Sequence, residues 1–259
     1  MISPGEALPK ANAAAGRAIE LDDSLAEGHH LLANVVLFQK WDWDGAEKEM
    51  NRAIELKPNY ADVRADYSFF LAAMKRPAEA MAQIERALQL DPLNPLYQAM
   101  LGGVFTFAGR YDDAILQCRA TLSQEPNIPA AYSCLWGAFG QKHMHEEGVA
   151  AAKNFFTLLG NREVVDALTR GYAEAGYPGA MRLAAEKLAA RSKATYVSPI
   201  WIATLYAHAG EKKHALAWLE KAYEEHNPNM AYLNVDPHWG NLRGEPGFQD
   251  LLRRMKLPL

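Results

Sequence analysis

The stretches AIELKPNY (53–60), ALQLDPLN (87–94) and TLSQEPNI (121–128) decide the fold, because each is a helix cut off by a proline at the same place. An apolar stripe at helical spacing runs into Pro58, Pro92 or Pro126, whose missing N–H cannot extend the ladder. These prolines stand 34 residues apart, and Gly160 keeps the step. Ala46, Ala80, Ala114 and Gly148 repeat at the same interval, as do Ala53, Ala87, Thr121 and Phe155. Three registers that agree on one period of this size define a repeat architecture.

Working outward, the half-unit before each of these helices is helical too. Leu32/Val36, Tyr67/Leu71, Leu101/Phe105, Leu135/Phe139, Leu168/Tyr172 and Ile202/Tyr206 are i, i+4 apolar pairs on one face. Short polar breaks separate the two halves at Lys75-Arg76, Gly109-Arg110, Gly176-Tyr177 and Gly210-Glu211. Each unit is therefore an antiparallel helical hairpin.

The small residues at the eighth, twentieth and twenty-seventh positions, with proline near the thirty-second, resemble the tetratricopeptide repeat. The resemblance implies an all-α fold, a right-handed α-solenoid of such hairpins with a C-terminal capping helix. Six units are expected at 26–60, 61–94, 95–128, 129–161, 162–195 and 196–229, preceded by an unpaired helix over 1–25 and followed by a cap over 230–259. The first unit carries an extra residue at Trp41-Asp42-Trp43. In unit four Trp136 takes the eighth position, where a small residue is usual. The facing twentieth position is Gly148, so a large-small pair is expected to replace small-small at nearly constant volume.

At the ends, Leu8, Ala11, Ala15, Ala18 and Ile19 form the stripe of a helix without a hairpin partner, expected to leave one flank open for docking or self-association. Phe248, Leu251, Leu252 and Met255 share one face of the capping helix. The stretches KWDWDGAEKEMNRAIELKPNY (40–60) and YVSPIWIATLYAHAGE (196–211, with the likeness continuing to Pro258) are similar to the C-terminal repeat region of bacterial multidomain signalling proteins. There the repeats follow a serine/threonine kinase, a nucleotide cyclase or a winged-helix domain.

Composition agrees with a folded protein. Hydrophobic residues make up 49% of 259, enough for a continuous core. With 27 Lys+Arg against 31 Asp+Glu, there is no electrostatic footprint for nucleic acid or an anionic membrane. No apolar run reaches the roughly 20 residues of a membrane span, and Met1 to Ala15 lacks the pattern of a signal peptide. Two cysteines, Cys118 and Cys134, read as buried apolar residues in a reducing compartment. The expected location is the cytoplasm, or the periplasm for a piece of a membrane-anchored regulator.

Phosphate-loop, dinucleotide, acyl-transfer and zinc-peptidase motifs do not occur, so no catalytic residue, cofactor or metal is expected. The stretch HMHEE (143–147) offers His143 and His145, but i and i+2 positions diverge on a helix. Function is expected to be non-enzymatic docking of a protein or peptide partner, with an enzyme or small-molecule binder as the alternative. The resemblance places the concave surface on the first helix of each hairpin. It implies a partner site at His30, Asn34, Phe38, Phe69, Leu96 and Phe107, apolar enough for an extended peptide or amphipathic helix. Only Asn34 fits the pattern that reads acidic chaperone tails, and Asp62 and Asp66 would repel one.

Overall fold

The computed structural model describes residues 3–259, and the statements below concern those residues. Thirteen α-helices follow one another without a strand. Helix α1 (Pro4–Leu21) precedes the hairpins α2 (Ala26–Lys40) with α3 (Trp43–Leu56), α4 (Ala61–Ala73) with α5 (Pro77–Leu90), α6 (Pro95–Phe107) with α7 (Tyr111–Gln124), and α8 (Pro129–Gln141) with α9 (His145–Leu158). Then come α10 (Arg162–Arg191), α11 (Pro199–His208) with α12 (Lys212–Glu224), and α13 (Pro246–Arg254). Helix α10 is itself a hairpin: Ala175 (φ −148°, ψ 24°) and Gly176 (φ 63°) break it into two arms.

Local chemistry sets these boundaries. Proline opens α5, α6, α8 and α11, where its missing N–H costs nothing. Asn94 caps α6 by accepting from the Leu96 and Tyr97 N–H groups, and Asp42 caps α3 through Gly45. Every hairpin turn contains one left-handed residue: Trp41, Lys75, Gly109, His143, Gly176 and Gly210. At Lys75 this lets the Arg76 N–H reach back to the Leu71 carbonyl at 2.9 Å, closing the end of α4.

The alanines of the repeat sit where the helices of a hairpin meet, and Ala46, Ala53, Ala80, Ala87 and Ala114 are fully buried. In the α10 hairpin the approach is closer still, because a Cβ on Gly171 would lie 2.5 Å from the Gly179 carbonyl oxygen. The stripe of α1 is not left open: Ala15 is buried and Ile19 and Ala18 pack over Gly28 of α2. Its N-terminal end, at Leu8, borders a recess with Tyr196, Glu225 and His226 of the last hairpin.

After α12 the chain does not stop at the end of the stack. Two short 3₁₀ turns, Pro228–Tyr232 and Pro237–Trp239, run back across the concave face, the first against α2 and α4 and the second against α8 and α11. Helix α13 then buries Phe248, Leu251, Leu252 and Met255 beside α12. It reaches further than the end of the last hairpin, because Trp43 of α3 donates Nε1–H to the Met255 carbonyl at 2.7 Å. Trp41 also stacks on His226, at 5.6 Å between centroids. The first and last hairpins are thus tied together.

Candidate functional site

The inner wall of the solenoid holds its own C-terminal segment largely through side-chain amides that bind backbone. Gln141 of α8 donates to the Pro237 carbonyl at 2.6 Å. Asn234 of the segment donates to the Ala73 carbonyl at 2.8 Å and to the Pro258 carbonyl at 3.0 Å. Asn241 donates to the Ala207 carbonyl at 2.7 Å. Glycines of α8 let neighbours approach: a Cβ on Gly137 would lie 2.9 Å from the Pro237 ring of the strap, and one on Gly140 2.8 Å from His208 of α11.

Aromatic rings complete the grip. Tyr232 lies edge-on to Phe69 at 5.5 Å and stacks on Phe107 at 5.8 Å, while Phe69 fills the space over Gly103. Burial, with the nearby Asp66 carboxylate, raises the Tyr232 phenol above its ordinary range.

A polar relay fixes the second turn. Trp136 donates Nε1–H to the Tyr177 hydroxyl at 3.1 Å, Tyr177 bonds His208 Nδ1 at 2.6 Å, and His208 Nε2 bonds His238 Nδ1 at 2.7 Å. His238 also bonds the Ser133 backbone. One neutral tautomer of each imidazole satisfies the whole chain, with every N–H facing an acceptor. Burial, then the His238 and His145 rings, push His208 well below its usual value; burial also lowers His238, against the opposing pull of Asp236 and the Ser133 backbone. Trp136 is buried as expected, but against His208 and His238 rather than Gly148. The space at Gly148 is taken by Tyr177, whose ring a Cβ there would meet at 3.2 Å. The volume exchange is thus made with the next unit, not across one hairpin.

Between wall and strap remains a cavity of about 560 Å³. Phe69 and Phe107 line it at one end with Tyr232, and Trp136, Phe155 and Trp201 line the rest. Leu96 stands beside it, 49% exposed. Of the residues expected at a partner site, Phe69, Leu96 and Phe107 therefore come together, the two phenylalanines already in contact with Tyr232. His30 and Asn34 do not line the cavity but brace Asp66, which does: His30 Nε2 lies 2.8 Å and Asn34 Nδ2 3.3 Å from its Oδ2. Phe38 packs half-buried against the core and is not part of the lining. The sequence reading missed Tyr232, Asp236 and His238, because they follow the last repeat and carry no register. In HMHEE, His143 occupies the left-handed turn position and His145 tilts over Tyr177 at 4.7 Å. Cys118 and Cys134 are buried and free, their sulfurs in contact.

The hairpins, their small-residue contacts and the stacked first helices agree with comparison to known proteins. Residues 37–103 match the family model of the tetratricopeptide repeat. The fold is a tetratricopeptide-type solenoid. PilW, described as a widely conserved type IV pilus biogenesis factor, superposes with a TM-score of 0.55 at 18% identity, over 96% of this chain and 92% of that one. That similarity is one of fold. YrrB, described as a tetratricopeptide protein with an unusual peptide-binding site, aligns at 18% identity over 85% of this chain and 96% of that chain, with a TM-score of 0.42. No curated protein matches the chain in sequence. Among the described residues no helix is long and apolar enough to cross a membrane.

Proposed function

We propose that the protein is a non-catalytic interaction module that accepts a segment of a protein partner in the cavity between its concave wall and its own strap. The observation that carries this is the strap itself. The same wall already holds a turn-rich segment by bonds between side-chain amides and backbone carbonyls and by an aromatic anchor, two elements that groove recognition uses. The remaining cavity offers Leu96 at its edge and aromatic rings within. A segment ordered on binding loses conformational entropy, so a dissociation constant on the order of micromolar is expected. Peptides selected from a random display library supply the test. Leu96→Glu, at a half-exposed position, should weaken the selected peptides about tenfold or more without changing the circular dichroism. Equal affinity for the two folded proteins places the site elsewhere.

The cavity volume favours one second reading. About 560 Å³ lies within the range of roughly 300–1,000 Å³ typical of small-molecule sites. Thermal-shift screening with apolar fragments separates the two, since a small-molecule site responds to them and yields no Leu96-sensitive peptide. Self-association through α1 would use its C-terminal end, where Leu21 is 69% exposed, and light scattering of Leu21→Glu against the wild type tests it. A sensor or scaffold role in a bacterial regulatory system rests on the sequence resemblance alone.

A further inference from the structure

The cavity has a sign of charge as well as a shape. Asp66 and Asp236 line it, and no lysine or arginine does. Asp66 keeps 41% of its side chain exposed, and its bonds from His30 and Asn34 both fall on Oδ2. His30 turns Nε2 to the carboxylate and Nδ1 to the Tyr60 hydroxyl at 3.1 Å, and neither His30 nor Asn34 bonds the second oxygen, Oδ1. Asp62 stands one turn earlier on α4, on the same face, and extends the negative strip. Asp236 uses Oδ1 to cap the His238 N–H at 2.9 Å. The one basic side chain in the lining, His238, is fully engaged by His208 and the Ser133 backbone.

Arg243, behind Asp236, donates to the Asn234 and Asp236 carbonyls and does not line the cavity, so an anionic ligand would lose its hydration without meeting a cation there. A cation gains twice, from the carboxylates and from the electron-rich faces of aromatic rings such as Tyr232 and Trp201. A long basic side chain also suits the geometry, because its apolar stem can lie along aromatic surface while its head reaches a partly exposed carboxylate.

We propose that the partner segment is basic, placing a lysine or arginine in this cavity with its stem on the aromatic wall and its charged head at Asp66. This rests on reading the cavity as the partner site. Selection from a random display library should enrich peptides carrying Lys or Arg between apolar residues and deplete Asp and Glu. In a double-mutant cycle, Asp66→Asn and replacement of the peptide's basic residue by norleucine should each cost about tenfold, and together little more than either alone. Asp236→Asn should weaken binding by a smaller factor, and rising salt should weaken the wild type. Circular dichroism checks each variant's fold, and the salt series needs no variant. Enriched peptides without a basic residue, or a cycle without coupling, overturn the charge assignment while leaving the cavity as the site. A selection that yields no peptide sensitive to Leu96→Glu overturns both.

Discussion

At the scale of single residues, the same substitution has opposite effects depending on what faces the missing side chain. A Cβ on Gly171 would sit 2.5 Å from the Gly179 carbonyl oxygen and 2.8 Å from the Ala180 Cα, both backbone atoms of the facing arm. Gly171→Ala must therefore push the arms of α10 apart, and overpacking of this kind costs about 1–3 kcal/mol. Gly16, exposed on α1, has nothing within 4 Å of its Cβ position, so Gly16→Ala should gain up to about 1 kcal/mol of helix propensity. Denaturant midpoints of the two variants, moving in opposite directions, check the pair. The spacing of Trp136 and Gly148 marks both positions as unusual, but it cannot identify the neighbours. Tyr177 and His208 are brought to Trp136 by the stacking of later units, and His238 by a strap outside the repeat.

At the scale of elements, the turn Pro237–Trp239 is fastened to α11 by a bond between two imidazoles, which makes its docking sensitive to acid. Neutral His208 and His238 share one proton across 2.7 Å; a second proton would set two N–H groups against each other in a buried site. The groups facing the pair are Tyr177, Trp136, His145, Asp236 and the Ser133 backbone, and of these Asp236 and the Ser133 backbone favour the charged form. Both histidines titrate below their ordinary value in the folded protein, so the unfolded chain binds protons first as pH falls. Their contribution is fully present above about pH 6.5 and is lost below it, by at most about 1.4 kcal/mol per pH unit for each histidine. Melting temperature measured from pH 7.5 to 5 should fall more steeply for the wild type than for His208→Gln, whose amide can still donate and accept. Parallel curves would show that the pair does not govern acid stability. The hairpins themselves were legible in the sequence, because proline stops and small-residue contacts are local and recur at a fixed step. The relay was not, since its members come from α8, α10, α11 and the strap.

At the scale of the whole molecule, a solenoid ordinarily has contacts only between neighbouring units, so its parts can open separately. Here Trp43 and Met255, 212 residues apart, share a hydrogen bond, and Trp41 stacks on His226. A 34-residue period describes each unit and its neighbour but carries no trace of a contact that joins the first hairpin to the last helix. The periodicity thus reveals the wall of the groove while leaving its occupant and its closure unseen. Closure predicts coupling between the ends. Trp43→Phe keeps most of the buried ring but removes the donor, leaving the Met255 carbonyl unpaired, which costs about 1–3 kcal/mol. If the ends open as one unit, that loss appears in places that share no sequence neighbourhood. Native-state hydrogen exchange should show reduced protection in α2 and α3, and by a similar free energy in α12, α13 and the strap. The units between, α6 to α9, should change less, because their neighbour contacts remain. If protection falls only in α3, the bond is local and the two ends of the molecule open independently.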